Sequence, residues 1–209
     1  MNKKNAFTLA EVLITLGIIG IVAAMTLPVV TGEYRKKIAE SRLKKFYSDF
    51  NQAMRRSELD NGEFQYWDEM DSSMDSSEQW YMKYINPYLK SLDVKRKVYD
   101  YTVWVKLVDG SGFGIRADGD IYFYTDAKYL DFCENLNLTQ KLSFCDGTKK
   151  FLFHYYTTSG LRPYGFYKGN TRKFYFDLCG NENFNERNYC ASLIYIDGWE
   201  IKNDYPIKF

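Results

Sequence analysis

Histidine is almost missing from this chain: His154 is the single copy in 209 residues. That excludes a His-cluster metal centre and leaves little material for imidazole-based catalysis. There is no Gly-rich phosphate loop and no nucleophile motif, which argues against nucleotide hydrolysis and acyl transfer. The acidic stretch 68–78 (DEMDSSMDSSE) lacks the central Gly and final Glu of an EF-hand, so it reads as a linker or exposed loop. No CxxC pair occurs, and no cysteine precedes Cys133. Net charge is only +1, so the overall balance names no partner. On these grounds no enzymatic activity, no cofactor and no metal are expected.

The charge that is present is unevenly placed. Residues 33–56 hold eight Lys/Arg against three acids, whereas residues 57–209 hold 18 Lys/Arg against 23 Asp/Glu. A basic stalk therefore joins a mildly acidic body. A basic run is most often a solvated face, so nucleic acid is not expected as a partner. Aromatic residues make up 18% of the chain, a content suited to half-buried strands of a β-rich extracytoplasmic domain.

The longest apolar run is Phe7 to Val30, with Glu11 as its one charge. As a helix it would extend ~36 Å, enough for a hydrocarbon core of ~30 Å. Lys3 and Lys4 precede it and a basic cluster at 35–45 follows. A secretory signal has a short apolar core with its cut after that core. Here the polar leader is six residues and the small residue, Ala6, stands before the run. A carboxylate at the centre of a spanning helix costs ~2.5–3.5 kcal/mol, less near an end, and still needs a partner. Cleavage after Ala6 would create one, because Phe7 would then carry a free α-amino group. Within one helix that amine lies four residues from Glu11; between staggered helices the carboxylate of one reaches the amine of the next. The alternative is a Glu11 that snorkels to the membrane interface. Pro28 removes an N–H and clashes with the carbonyl of Ala24, so a kink or local melting is expected there, and Gly20 brackets the same segment.

From residue 32 to about 59, Ala39, Leu43, Phe46, Phe50, Ala53 and Met54 recur at helical spacing and give one apolar face. Asn61-Gly62 ends that helix. Residues 80–92 read as a short helix interrupted by Pro87. Alternation then changes to period two, and the turn signals Asp109-Gly110 and Asp118-Gly119 divide 98–126 into antiparallel strands near 98–108, 112–117 and 120–125. Residues 127–150 read as irregular, 151–157 and 173–178 as strands, and the intervening segment as loop. Residues 190–197 fit either a short helix capped by Gly198 or a strand. Asn137-Leu138-Thr139 fits a glycosylation acceptor pattern of low specificity.

The stretch KKNAFTLAEVLITLGIIGIVAAMTLP resembles the class III signal of type IV pilins and type II secretion pseudopilins. Two weaker likenesses lie further on, YxxPYLK and a terminal GW-x-I…DYP. In that family a prepilin peptidase cuts between a small residue and Phe and then methylates the new amine. The resemblance therefore implies cleavage and methylation at Ala6 and Phe7, an assembly role for Glu11, and helix-weakening positions at Gly20 and Pro28. Ala6 stands where Gly is usual, and Ala10 where a larger aliphatic is common. The implied fold is α+β: a long N-terminal helix, half membrane-spanning and half amphipathic, packed on an antiparallel sheet. The implied organisation is a leader at 1–6, a transmembrane or filament-core helix at 7–30, an amphipathic stalk at 31–60 and a globular β-rich domain at 61–209. Implied partners are other copies in a filament, the prepilin peptidase, the inner-membrane assembly platform and lipid. The implied location is a single pass of the inner membrane with an extracytoplasmic domain, then a pilus or pseudopilus. Two other functions share the anchor: a minor-pilin binding module for adhesion or DNA uptake, and an extracytoplasmic protein whose anchor is never cut.

Cys133, Cys145, Cys179 and Cys190 form an even set downstream of an export segment, which reads as two disulfides in an oxidising compartment; four reduced core thiols are the other possibility. Three pairings exist. Cys133–Cys145 with Cys179–Cys190 is favoured, each closing about a dozen residues for roughly 3 kcal/mol. The resemblance agrees, since a C-terminal disulfide loop is frequent in the family.

Overall fold

A computed structural model describes residues 8–70, 73–182 and 187–209. Its backbone starts with one helix, α1 (Leu9–Asn61), and the chain divides into an N-terminal unit through Lys36 and a body covering Lys37–Lys208. Gly62, with φ +76°, stops α1 at the Asn-Gly signal, its N–H donating to the carbonyl of Glu58 at 3.0 Å.

The body is built on a six-stranded antiparallel meander in the order β1 (Ser91–Val98), β2 (Tyr101–Leu107), β3 (Gly112–Ile115), β4 (Asp120–Tyr124), β5 (Lys150–Tyr156) and β6 (Gly160–Pro163). The apolar face of α1 covers one side of it. Ala39, Leu43, Phe46, Phe50, Ala53 and Met54 are all no more than 2% exposed. The Phe46 ring lies 4.6 Å from Phe123 and 5.2 Å from both Phe113 and Phe153. Each such ring contributes roughly 1.5–3 kcal/mol by leaving water, so this seam is the main core. At the β2–β3 and β3–β4 turns Gly110 (φ +84°) and Gly119 (φ +83°) supply the left-handed residue that the two Asp-Gly signals announce.

The other side of the sheet carries a second core: Tyr101, Trp104, Tyr122, Tyr124 and Leu152 beneath Leu130, Cys133 and Cys145. Residues 127–150, read from sequence as irregular, contain α3 (Tyr129–Glu134) and α4 (Leu138–Phe144). A reciprocal cap starts α4: Asn137 Oδ1 accepts from the Gln140 N–H at 2.9 Å, and Gln140 Oε1 accepts from the Asn137 N–H at 3.1 Å. The glycosylation-like asparagine is therefore an N-cap. Strand β3 makes room for the rings above it. A Cβ at Gly114 would stand 2.5 Å from Tyr101 Cγ.

A charged group is buried within this second core. Glu134 Oε1 accepts from Lys150 Nζ, and its Oε2 from Lys141 Nζ, both at 2.7 Å, with the Glu134 and Lys150 side chains only 5% and 6% exposed. The Tyr101 and Tyr124 hydroxyls also point to Glu134 Oε1. Burial alone would raise the Glu134 carboxyl, but Lys150, Lys141 and Tyr124 outweigh it and hold it down to about 2. Lys150 Nζ also lies 4.4 Å over the Tyr122 ring.

Four further expectations are corrected. Residues 173–178 are not a strand but part of α5 (Arg172–Gly180). Thr171 Oγ1 caps it by accepting from the Phe174 N–H, and Tyr175 and Cys179, four apart, are its buried face. The strand expected from residue 98 begins instead at Tyr101, because Tyr99 has φ +54° and turns the chain from β1 into β2. Strand β6 occupies part of a segment read as loop. Residues 190–197 resolve to helix, α6 (Cys190–Ile196), closed by Gly198 at φ +76° with Trp199 N–H donating to Ile194 at 2.8 Å and Gly198 N–H to Tyr195 at 3.1 Å. The acidic stretch is partly helical too, because α2 (Met74–Tyr84) starts inside it with Ser73 as cap.

The tail is tied down rather than loose. Arg172 makes a two-nitrogen contact with Asp204 at 2.8 and 2.9 Å and reaches Asp197 at 2.7 Å. The Ile201 N–H donates to Glu40 on α1 at 2.8 Å, and the Tyr205 hydroxyl donates to the Gly147 carbonyl at 2.7 Å.

Candidate functional site

The N-terminal part of α1 is apolar on every side. Leu9, Leu13, Ile14, Leu16, Ile18, Ile19, Ile21, Val22, Met25 and Leu27 are each more than half exposed, and none of the most apolar 18-residue window is buried. A helix segment apolar and exposed all round needs lipid or other apolar helices as its surroundings. Leu9 to Val30 spans roughly 33 Å at 1.5 Å per residue, the thickness of a hydrocarbon core. Its hydroxyls are satisfied along the helix: Thr15 donates to the carbonyl of Val12, Thr26 to Val22 and Thr31 to Leu27, at 2.9–3.0 Å. Polar groups bonded within their own segment are what an apolar solvent demands.

Glu11 sits in a reciprocal cap that sequence reading overlooked. Its Oε2 accepts from both the backbone N–H and the hydroxyl of Thr8 at 2.8 Å, while Thr8 Oγ1 accepts from the Glu11 N–H at 3.3 Å. The signal was Thr8-x-x-Glu11 immediately before an apolar run. The cap fixes the start of the helix and holds the carboxylate at its first turn, beside the positive end of the helix dipole. Both bonds to Thr8 use one oxygen; among the described residues, Glu11 Oε1 has no partner.

Ala6 and Phe7 lie outside the described residues. The helix runs without a break through Gly20 and position 28, and an added Cβ at Gly20 would meet nothing within 4 Å. The four cysteines are brought together in pairs, Cys133–Cys145 between α3 and the end of α4, and Cys179–Cys190 between α5 and α6. His154 is occupied by Asp120, Nδ1 to Oδ1 at 2.7 Å, beside the β3–β4 turn.

Residues 1–27 match the prokaryotic N-terminal methylation motif. Residues 29–209 match a family described as a family of unknown function (DUF6613). The chain belongs to that family and is a type IV pilin-like or pseudopilin protein. No curated protein and no solved structure matches it. The motif implies processing by a prepilin peptidase and assembly into a filament, and it covers most of the apolar segment of α1. This pilin-like protein is accordingly membrane-anchored through α1, with the disulfide-bearing body on the extracytoplasmic side.

Proposed function

We propose that the chain is a structural subunit of a type IV pilus or type II secretion pseudopilus, acting by assembly and not by catalysis. The observation that carries this is a helix segment apolar and exposed on all sides, with one carboxylate held at its first turn within a methylation motif. Cleavage after Ala6 gives Phe7 a cationic amine. In the filament the Glu11 oxygen not used by Thr8 accepts that amine from a neighbouring subunit, which neutralises both charges in an apolar core. Gly20 and Pro28 weaken the helix between them, so that it extends when subunits leave the bilayer. The occupied histidine and the absence of a nucleophile motif support the non-catalytic reading.

Two measurements test it. Mass spectrometry of protein from its own membranes is expected to find an N-terminus at methylated Phe7; an N-terminus at Met1 refutes processing. Glu11→Gln is expected to abolish filaments while leaving the body folded. Filaments that form at the normal rate from that variant overturn the mechanism.

A further inference from the structure

The body contains five arginines beyond α1, and four have acceptors. Arg96 pairs with Glu78, Arg116 with Asp100, Arg172 with Asp197 and Asp204, and Arg187 donates to the carbonyls of Asn181 and Leu142. Arg162, on β6, is partly buried and among the described residues makes no ion pair and no hydrogen bond through its guanidinium. A half-desolvated guanidinium without an acceptor is an unfilled fork for a carboxylate.

Arg162 lines a cleft of about 400 Å³ together with Tyr156, Ser159, Phe166, Tyr167 and Lys168. Lys168 is also without an ion-pair partner among the described residues, and no carboxylate lines the cleft. Tyr167 stands at its edge, 68% exposed. The loop backbone that carries it is held at this residue. Its N–H donates to the Tyr175 hydroxyl at 2.7 Å and its carbonyl accepts from the same hydroxyl at 3.1 Å. Tyr175 is fully buried on α5. The ring rests against Gly169, where a Cβ would stand 2.5 Å from Tyr167 Cε1. Phe166 is stacked on Tyr175, with ring centroids 5.9 Å apart. An aromatic face is thus presented to solvent on a loop already ordered, beside two uncompensated cations. Pre-ordering of this kind removes much of the entropy cost of binding.

We propose that this cleft binds an acidic saccharide, with Arg162 forking the carboxylate, Tyr167 stacking on the C–H face of the ring, and Lys168 adding charge at the rim. The ligand is a sugar acid of one or two rings, because the cleft has small-ligand size. A nucleic-acid strand also stacks on tyrosine, but it needs a cationic track. Here only two cations line the site, on a body with 23 acids against 18 bases over residues 57–209. The inference rests on the body being extracytoplasmic, and it adds a ligand to the filament reading.

The test is isothermal titration of the full chain in detergent micelles with sodium digalacturonate, against lactose as a neutral disaccharide and an oligothymidylate. Saturable binding of digalacturonate alone is expected. Arg162→Gln and Tyr167→Ala should each weaken it about tenfold or more, in keeping with a charge-assisted bond and a stacked ring. Gly169→Ala, which displaces the ring without removing it, should weaken it as well. Thermal melts of the Arg162 and Tyr167 variants should match the parent, since neither side chain is in the core. Absence of saturable digalacturonate binding overturns the proposal, as does equal binding of lactose, tighter binding of oligothymidylate, or full affinity in both variants. Glu11→Gln should leave this binding intact, and Arg162→Gln should leave filaments intact, so failure of one reading is distinguishable from failure of the other.

Discussion

Leu43, Phe46 and Phe50 on α1 are no more than 1% exposed, while Leu13, Ile14 and Ile18, earlier on the same helix, are 58–63% exposed. The residue types barely differ; the spacing does. Up to Val30 the apolar residues follow one another on all sides, whereas from Ala39 they recur three or four apart with Lys and Arg between them. A stripe needs one partner, and the sheet supplies it. A helix apolar all round cannot be satisfied by a single sheet and must find its solvent outside the chain. Stability is therefore drawn from one stretch of the helix and, on the proposed function, assembly from the other, and substitutions should sort accordingly.

The largest effects should fall in the body. Phe46→Ala removes a ring packed against Phe113, Phe123 and Phe153 and should cost about 3–5 kcal/mol in urea unfolding of the full chain in detergent. Glu134→Gln should cost a similar amount, about 3–5 kcal/mol, because it leaves the buried Lys150 and the partly buried Lys141 without their carboxylate. The pH dependence follows from the same residue. Its folded pKa of about 2 lies below the ordinary 4.5, so its stabilisation is complete above about 4.5 and is lost as pH falls toward 2. Asp146, raised by burial, acts in the opposite sense, being easier to bury once protonated. The parent should lose stability from pH 4.5 to 2 more steeply than Glu134→Gln; equal slopes would show that the cluster does not titrate with folding.

Next in size is the Cys133→Ser/Cys145→Ser pair. Opening a loop of sequence separation 12 should cost roughly 3 kcal/mol, and it should loosen α3 and α4 first, read as faster amide exchange there than in β2–β5. Thr171→Ala, which deletes the N-cap of α5, should cost about 1 kcal/mol in the same unfolding assay.

Much of this division was legible in the residues. The six buried positions of α1 and the two Asp-Gly turns follow from spacing, whereas spacing left three cysteine pairings open and only favoured the one observed. What escaped is just as physical. Strand β1 has the burial pattern of an edge, mostly exposed on both faces and carrying Lys95, Arg96 and Lys97, so it has no alternation to read; such charges discourage edge-to-edge pairing. Helix α5 is crowded with Phe and Tyr, which favour strands, and the local cap from Thr171 with burial of Tyr175 and Cys179 overrode that preference. The caps at Thr8/Glu11 and Asn137/Gln140 fit S/T/N-x-x-E/Q patterns, but Glu11 is also the one charge of an apolar run, which masks its capping role in the sequence. The cleft at Arg162 could not be foreseen, because an unpaired arginine is visible only when the acceptors of the others are known.

The smallest effect completes the contrast. Ile18→Ala removes as many carbons as some core deletions, yet Ile18 is 58% exposed and lies in a window with no burial inside the chain. Its loss should shift unfolding of the body by no more than about 0.5 kcal/mol, and Ala's better helix propensity offsets part even of that. Measured beside Phe46→Ala in the same micelles, it isolates where on α1 the body draws its stability. A drop comparable to the core deletion would mean that the upper stretch is packed within its own chain, and the separation of stability from assembly would fail.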